Sequence, residues 1–271
     1  MNWLIFIAFL NGFALFSSAN FLQLFFHEEF AIATESPSSI TPEVNTLEKI
    51  QKRGKLRIGV KDNLSPLGFR DRSGNLVGLE IDIARELAKE LNIPVELVPV
   101  QNRDRLSTLQ NNQIDVAIAQ ITVTTNRSRL IDFSLPYYTD STVAIGKRDI
   151  TTQEIKQTSA IGALKNSAAI AAIQSQFPKA AIIGANSYAE GLAALQNGQI
   201  AAFVGDRINL TQWLTENPEF SVVGQPLAVH SFAIAMPRGL QHLDLREKVM
   251  AIVEKWRKND WLKERANFWG L

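Results

Sequence analysis

Leu109-Gln110-Asn111-Asn112-Gln113-Ile114 runs straight into Asp115-Val116-Ala117-Ile118-Ala119, and the chain uses this segment twice. The second copy is Leu195-Gln196-Asn197-Gly198-Gln199-Ile200, followed by Ala201-Ala202-Phe203-Val204-Gly205. Each copy reads as a helix end, a polar turn and a short buried strand. The residues beyond the two strands differ. The first copy leads into Gln120-Ile121-Thr122-Val123-Thr124-Thr125-Asn126-Arg127, rich in hydroxyls, backbone donors and one cation. The second leads at once to Asp206, an anion. In open parallel sheets, ligands sit outside the carboxyl ends of the strands. Two such units therefore offer an anion receptor on one side and a cation receptor on the other, and a small zwitterion such as an amino acid fits between them.

The rest of the chain alternates in the same way. Short apolar runs predict buried strands at Leu56–Val60, Val95–Val100, Asp115–Ala119, Ser159–Leu164, Ala180–Ala185, Ala201–Gly205 and Phe220–Gly224. Stretches of helical period lie between them: Ile83, Leu87 and Leu91 with Ala84 and Ala88, and later Leu245, Val249, Ile252, Val253 and Trp256. Alternation of this kind argues for parallel α/β layers. Two β-rich stretches, Tyr137–Ile145 and Ser231–Met236, read as crossovers between two lobes. Lobe one is then residues 46–140 plus 235–271, and lobe two is 141–234. Two lobes joined by two strands make a hinge whose closure buries a ligand.

Composition bounds the function. The chain has 271 residues, 46% of them hydrophobic, and a formal net charge of +1, so neither nucleic acid nor an anionic membrane surface is indicated as a partner. The stretch from Trp3 to Phe26 is apolar with few interruptions and carries no Lys or Arg. Small-residue sites occur at Ser17-Ser18-Ala19 and Ala31-Ile32-Ala33. Residues 1–33 read as an export signal, with an uncleaved membrane anchor as the alternative, and residues 34–45 as a linker rich in Ser, Thr and Pro. There is no cysteine, hence no disulfide and no lipidated Cys, and the exported fold rests on its core alone. His27, His230 and His242 read as isolated, so no metal or other cofactor is expected.

Several fragments then carry a resemblance. They are Ile58-Gly59-Val60-Lys61-Asp62-Asn63, Gly78-Leu79-Glu80-Ile81-Asp82-Ile83, Ile114-Asp115-Val116-Ala117-Ile118-Ala119, Thr122-Val123-Thr124-Thr125-Asn126-Arg127, Ile131-Asp132-Phe133-Ser134-Leu135-Pro136-Tyr137-Tyr138 and Ala235-Met236-Pro237-Arg238-Gly239. In this order and spacing, residues 54–271 resemble family 3 extracellular solute-binding proteins, the periplasmic amino-acid receptors of ABC importers. The resemblance implies a type II periplasmic-binding-protein-like α/β fold, no catalysis, a monomer in the periplasm, and an ABC permease as partner. Glu80 and Asp82 are expected to favour the positive amino end of their helix.

The resemblance also implies roles. The Arg at position 127 would grip the ligand α-carboxylate through its planar fork, helped by Thr122 and the amides around Gln120. The alternative is an ion pair between Arg127 and Asp132. Asp206 would meet the α-ammonium, the alternative being a helix N-cap. The loop Lys165-Asn166-Ser167-Ala168 would meet the ligand as well. Relatives often carry Ser-Gly-Thr there; here Ala168 lacks the hydroxyl, and Ser167 is an alternative helix cap. Lys61 and Arg105, or Arg103, resemble the basic residues with which aspartate- and glutamate-binding members hold a distal carboxylate, so an acidic or polar ligand is favoured. Leu67, Phe69 and Tyr137 are candidate apolar walls. Two other functions remain open on sequence alone: a cyclohexadienyl-dehydratase-like enzyme on the same fold, and a membrane-anchored ligand-sensing module.

Overall fold

Apolar residues that alternate with helices from Leu56 onward leave the chain one economical way to bury them: strands covered on both faces. A computed structural model describes residues 45–157 and 160–271. The expected export signal at 1–33 and the linker as far as residue 44 lie outside the described residues. Twelve strands are present among those described: β1 Leu56–Val60, β2 Asn63–Leu64, β3 Gly68–Arg70, β4 Leu76–Val77, β5 Val95–Pro99, β6 Val116–Ile118, β7 Ile131–Lys147, β8 Ala160–Leu164, β9 Ala181–Ala185, β10 Ala202–Asp206, β11 Phe220–Val222 and β12 Ala228–Pro237. Nine of them form one sheet in the order β5-β1-β6-β12-β7-β10-β8-β9, with β11 on β7. Strands β2, β3 and β4 make a small antiparallel sheet.

The large sheet has two parallel wings. In one, β1 lies parallel between β5 and β6. In the other, β8 lies parallel between β10 and β9. The long antiparallel pair β7 and β12 joins them. Its outer end pairs Ile131 with Pro237 and its inner end pairs Thr142 with Ala228, so both strands pass from one wing to the other. The two crossovers expected from sequence are these strands, and both are longer than the apolar runs suggested.

Each wing has its own core. Leu56, Ile58, Val60, Ile83, Leu87, Val249, Val253 and Trp256 pack together under the first wing. The second wing is covered on one face by Val143, Ile145, Leu192, Leu195 and Phe203, and on the other by Ile155, Ile161, Ile173 and Val204. Two side chains cross over: Leu64 of the first wing joins the Leu164–Tyr188 cluster of the second, and Ile208 joins the core of the first. The wings thus pack against each other.

The duplicated segment folds alike in both places. Leu109 lies in the helix Arg105–Gln110 and Leu195 in the helix Tyr188–Gln196. Three residues later, Asn112 (φ 55°) and Gly198 (φ 70°) turn the chain through the left-handed region. Ile114 and Ile200 are both buried, and strands β6 and β10 come next. Strands β1, β6, β8 and β10 all point their carboxyl termini toward one cleft between the wings, where their next residues are Lys61, Ala119-Gln120, Lys165 and Arg207.

Candidate functional site

Asp206 closes β10 and opens the helix Arg207–Glu216, yet its side chain makes no capping hydrogen bond to that helix. The N-cap alternative therefore does not account for the carboxylate. Instead Oδ2 accepts a hydrogen bond from Gln120 Nε2 at 3.0 Å, across the cleft. Oδ1 lies 3.1 Å from His230 Nε2. The Asp206 backbone N–H donates to the Tyr188 hydroxyl at 3.0 Å. The carboxylate side chain is 17% exposed, so it is shielded but reachable.

Arg127 stands opposite. It sits in the short helix Thr125–Ser128, whose N-cap Thr124 accepts a bond from the Arg127 N–H. Its guanidinium donates to Thr122 O and to Asn166 O, both at 3.0 Å. The second of these bonds also crosses between the wings. Burial lowers the Arg127 pKa, and the Asp206 carboxylate opposes that shift, so the two charges feel each other. Asp132 is not its partner; Asp132 pairs with Arg246 at 2.7 Å. Thr122 is itself buried and bridges to Phe232 on β12.

A second cationic group lies deeper in the first wing. Lys61 comes directly after β1 and donates through Nζ to Val100 O at 3.1 Å. Burial, assisted by Arg105, pulls its pKa down to about 8. Arg105 is buried and donates to Ala119 O at 2.8 Å and Gln120 O at 2.7 Å. Burial first, then Arg127, lowers its pKa to about 9, which still leaves it charged at neutral pH. Arg103 is exposed and paired with Asp104 at 3.4 Å, so Arg105 is the one that faces inward.

Glu80 holds this group together, a role beyond the helix-end one expected of it. Glu80 and Asp82 do lie in the first turn of the helix Leu79–Glu90, but the Glu80 carboxylate bonds to groups outside that helix. Oε1 accepts from the Gln120 N–H at 2.6 Å and from the Tyr137 hydroxyl at 2.5 Å. Burial raises the Glu80 pKa. A signal existed: Glu80 shares a helix face with Ile83, Ala84 and Leu87, the buried face. Gln120, held at both its N–H and its carbonyl, takes φ +52°, uncommon for a residue of its type. Strain of this sort collects at functional sites.

The loop after β8 contributes mainly through its backbone. Lys165 O accepts from Asn102 Nδ2 at 2.6 Å, another bond between the wings. Lys165 Nζ turns away to Asn186 Oδ1 at 3.0 Å. Asn166 carries φ +57° and offers its carbonyl to Arg127. Ser167 does not cap the helix Ala169–Gln176: the N-cap is Ala168, which makes no side-chain bond, and Ser167 Oγ is buried without a hydrogen-bond partner. Of the expected walls, Leu67 is fully buried in the first core, Phe69 packs edge-on against Trp269, and Tyr137 spends its hydroxyl on Glu80. His230, isolated in the sequence, stands against Asp206 in the fold. Sequence reasoning missed it because the residue enters from β12, a strand far from the duplicated segment. Among the described residues no group of three or more potential ligands could hold a metal ion.

Two wings joined by a pair of long antiparallel strands, with Arg127 on one side of the cleft and Asp206 on the other, have the type II periplasmic-binding-protein-like architecture. Residues 56–271 match the model of bacterial extracellular solute-binding proteins, family 3, and the chain belongs to that family. It is 30% identical over 214 residues to a glutamine-binding protein of Geobacillus stearothermophilus, covering 76% of this chain and 80% of that one. It is 27% identical over 235 residues to an ABC transporter glutamine-binding protein of Bacillus subtilis, covering 81% and 85%. An ancestral arginine-binding protein bound to arginine superposes with a TM-score of 0.73 at 27% identity, covering 80% of this chain and 98% of that one. These relatives are binding proteins, not enzymes.

Proposed function

We propose that the chain captures an acidic or polar amino acid outside the cytoplasm and hands it to an ABC permease. Arg127 holds the ligand α-carboxylate and Asp206 its ammonium, with Thr122, Gln120, Asn166 and Ser167 around them. Lys61 and Arg105 face the side chain. The observation that carries the reading is geometric: Arg127 and Asp206 stand on opposite wings, and each is hydrogen-bonded across the cleft, Arg127 to Asn166 O and Asp206 to Gln120. Charge favours an acidic or polar side chain: on the first wing Lys61, Arg105 and Arg127 are three shielded cations against the one buried carboxylate of Glu80, while Asp206 and Asp140 stand together near the proposed ammonium position. The side-chain carboxylate of an aspartate or glutamate offsets part of that cationic surplus. A cationic ligand adds to it, and uncompensated buried charge costs several kcal/mol, on the order of 3–5 when a pair is broken. The bound arginine or glutamine of relatives therefore does not carry over to this pocket unchanged.

The lobes that close are residues 46–140 with 235–271, and 141–234, moving about β7 and β12. In this proposal residues 1–33 are an export signal; amino-terminal sequencing of the exported protein tests whether it is removed. The binding test is calorimetry with single amino acids. Micromolar affinity, about 8 kcal/mol, is expected for glutamate or aspartate. Failure of every acidic and polar amino acid to bind overturns the proposal.

A further inference from the structure

His230 lies on β12, in register with Asp140 of β7. Its side chain is 8% exposed. Nε2 lies 3.1 Å from Asp206 Oδ1, and Nδ1 lies 3.2 Å from the Thr142 hydroxyl. The ring also packs on Phe232, with centroids 5.2 Å apart. The imidazole is thus hydrogen-bonded at Nδ1 and packed on one face, while its buried Nε2, which makes no hydrogen bond, stands within ion-pair distance of the carboxylate that would hold the ligand ammonium. The other Asp206 oxygen is taken by Gln120.

An imidazole changes charge near pH 6.5, inside the physiological range. Neutral His230 can turn its Nε2–H toward Asp206 and accept from Thr142, leaving the carboxylate a full negative charge for an ammonium. Protonated His230 offsets that charge and sets a cation beside the approaching ammonium. We infer that His230 is the positioning residue of Asp206, and that its protonation weakens the hold of the site on the ligand's ammonium group. This rests on the proposed capture of an amino acid by Asp206.

The charged and titratable groups facing the pair come from three directions. Asp206 is on β10, and Asp140 on β7 is electrostatically coupled to both Asp206 and His230. Arg127 and Arg105 act on Asp206 from the other wing. The Tyr188 hydroxyl meets the Asp206 backbone. Glu80, more remote, also titrates upward of an ordinary carboxylate. A substitution at His230 alone leaves all of these in place, so the difference between two proteins isolates the imidazole.

If the neutral imidazole is the binding-competent form, apparent affinity falls as the neutral fraction falls, so Kd rises on acidification. By linkage, the bound ligand must in turn expel the imidazole proton.

The test is calorimetry of the full protein with L-glutamate, L-aspartate and L-glutamine at pH 7.5 and 5.5, beside His230→Gln. Glutamine at 230 keeps an amide donor toward Asp206 but does not titrate. The wild type is expected to lose several-fold more affinity on acidification than the variant does. Equal slopes in the two proteins, with binding intact, overturn the inference and leave the capture reading standing. No binding of any of the three by wild type at pH 7.5 overturns the capture reading, and this inference with it. A second readout needs neither a ligand nor a folded His230 variant. In imidazole NMR spectra, the His230 ring signals should move in Asp206→Asn relative to wild type. Unmoved ring signals overturn the pairing.

Discussion

At the residue scale the site is a set of carbonyls, carboxylates and cations that fix one another. Arg127 was legible in the sequence because its short motif comes soon after a strand. Asp206 was legible because it ends the duplicated strand. The buried face of Glu80 was legible as well, but its pairing with Gln120 and that of His230 with Asp206 were not, because these partners are 40 and 24 residues away in the chain and only the folded sheet brings them together. Removing the Asp206 charge with Asn should lower ligand affinity at least about a hundredfold, since a charge-assisted bond to a shielded group is lost. Circular dichroism should stay unchanged, because the helix does not use that carboxylate as its cap. Glu80→Ala leaves the Gln120 N–H and Tyr137 hydroxyl without their acceptor. It should cost about 1–3 kcal/mol in urea unfolding, and it should also weaken binding by loosening Gln120. Lys61 gives a pH signature. Its pKa falls to about 8 in the folded protein, against about 10.4 when unfolded. Between those values the unfolded chain binds a proton that the folded one has released, so stability rises with pH there. The stability of wild type relative to Lys61→Met should therefore increase from pH 8 toward pH 10 in chemical denaturation. A flat or falling difference contradicts the burial of that ammonium.

At the element scale the sequence reading was accurate in the wings and short in the hinge. All seven expected wing strands are present within a residue or two, because continuous apolar runs demand two covered faces. The hinge strands were underestimated: β7 runs from Ile131 to Lys147 and β12 from Ala228 to Pro237. The first half of β7 carries polar residues such as Asp132 and Ser134, which break the apolar pattern although the strand pairs with β12 all the same. Gly78 opens the helix Leu79–Glu90 with φ +127°, and a Cβ there would sit 2.2 Å from Leu67 O. Backbone cannot yield as a side-chain tip can. Gly78→Ala should destabilise the protein by more than about 2 kcal/mol, read as a lower denaturation midpoint at constant m-value. It should displace Glu80 as well, so its binding defect should exceed that of a surface substitution of equal stability cost.

At the scale of the whole molecule, two wings with separate cores meet through a few polar bonds and two crossing apolar side chains. Asn102 to Lys165 O, Arg127 to Asn166 O and Gln120 to Asp206 span the cleft. None of these pairings could be read from the sequence, since each joins residues 39 to 86 positions apart that only the folded sheet brings together. Asn102→Ala removes one clasp away from the two charged poles. It should speed ligand release a few-fold with little change in association, as most affinity changes within one interface fall on the dissociation rate; stopped-flow fluorescence reads both. The central claim is that opposite charges on the two lobes, with a cationic pocket behind them, select a zwitterion bearing an acidic or polar side chain. Calorimetric titration of the protein with L-glutamate and with L-arginine tests it most directly, each repeated on Asp206→Asn. The expected result is glutamate binding that disappears in the variant and no comparable binding of arginine. Arginine bound more tightly than glutamate, or glutamate bound equally by both proteins, would contradict the account.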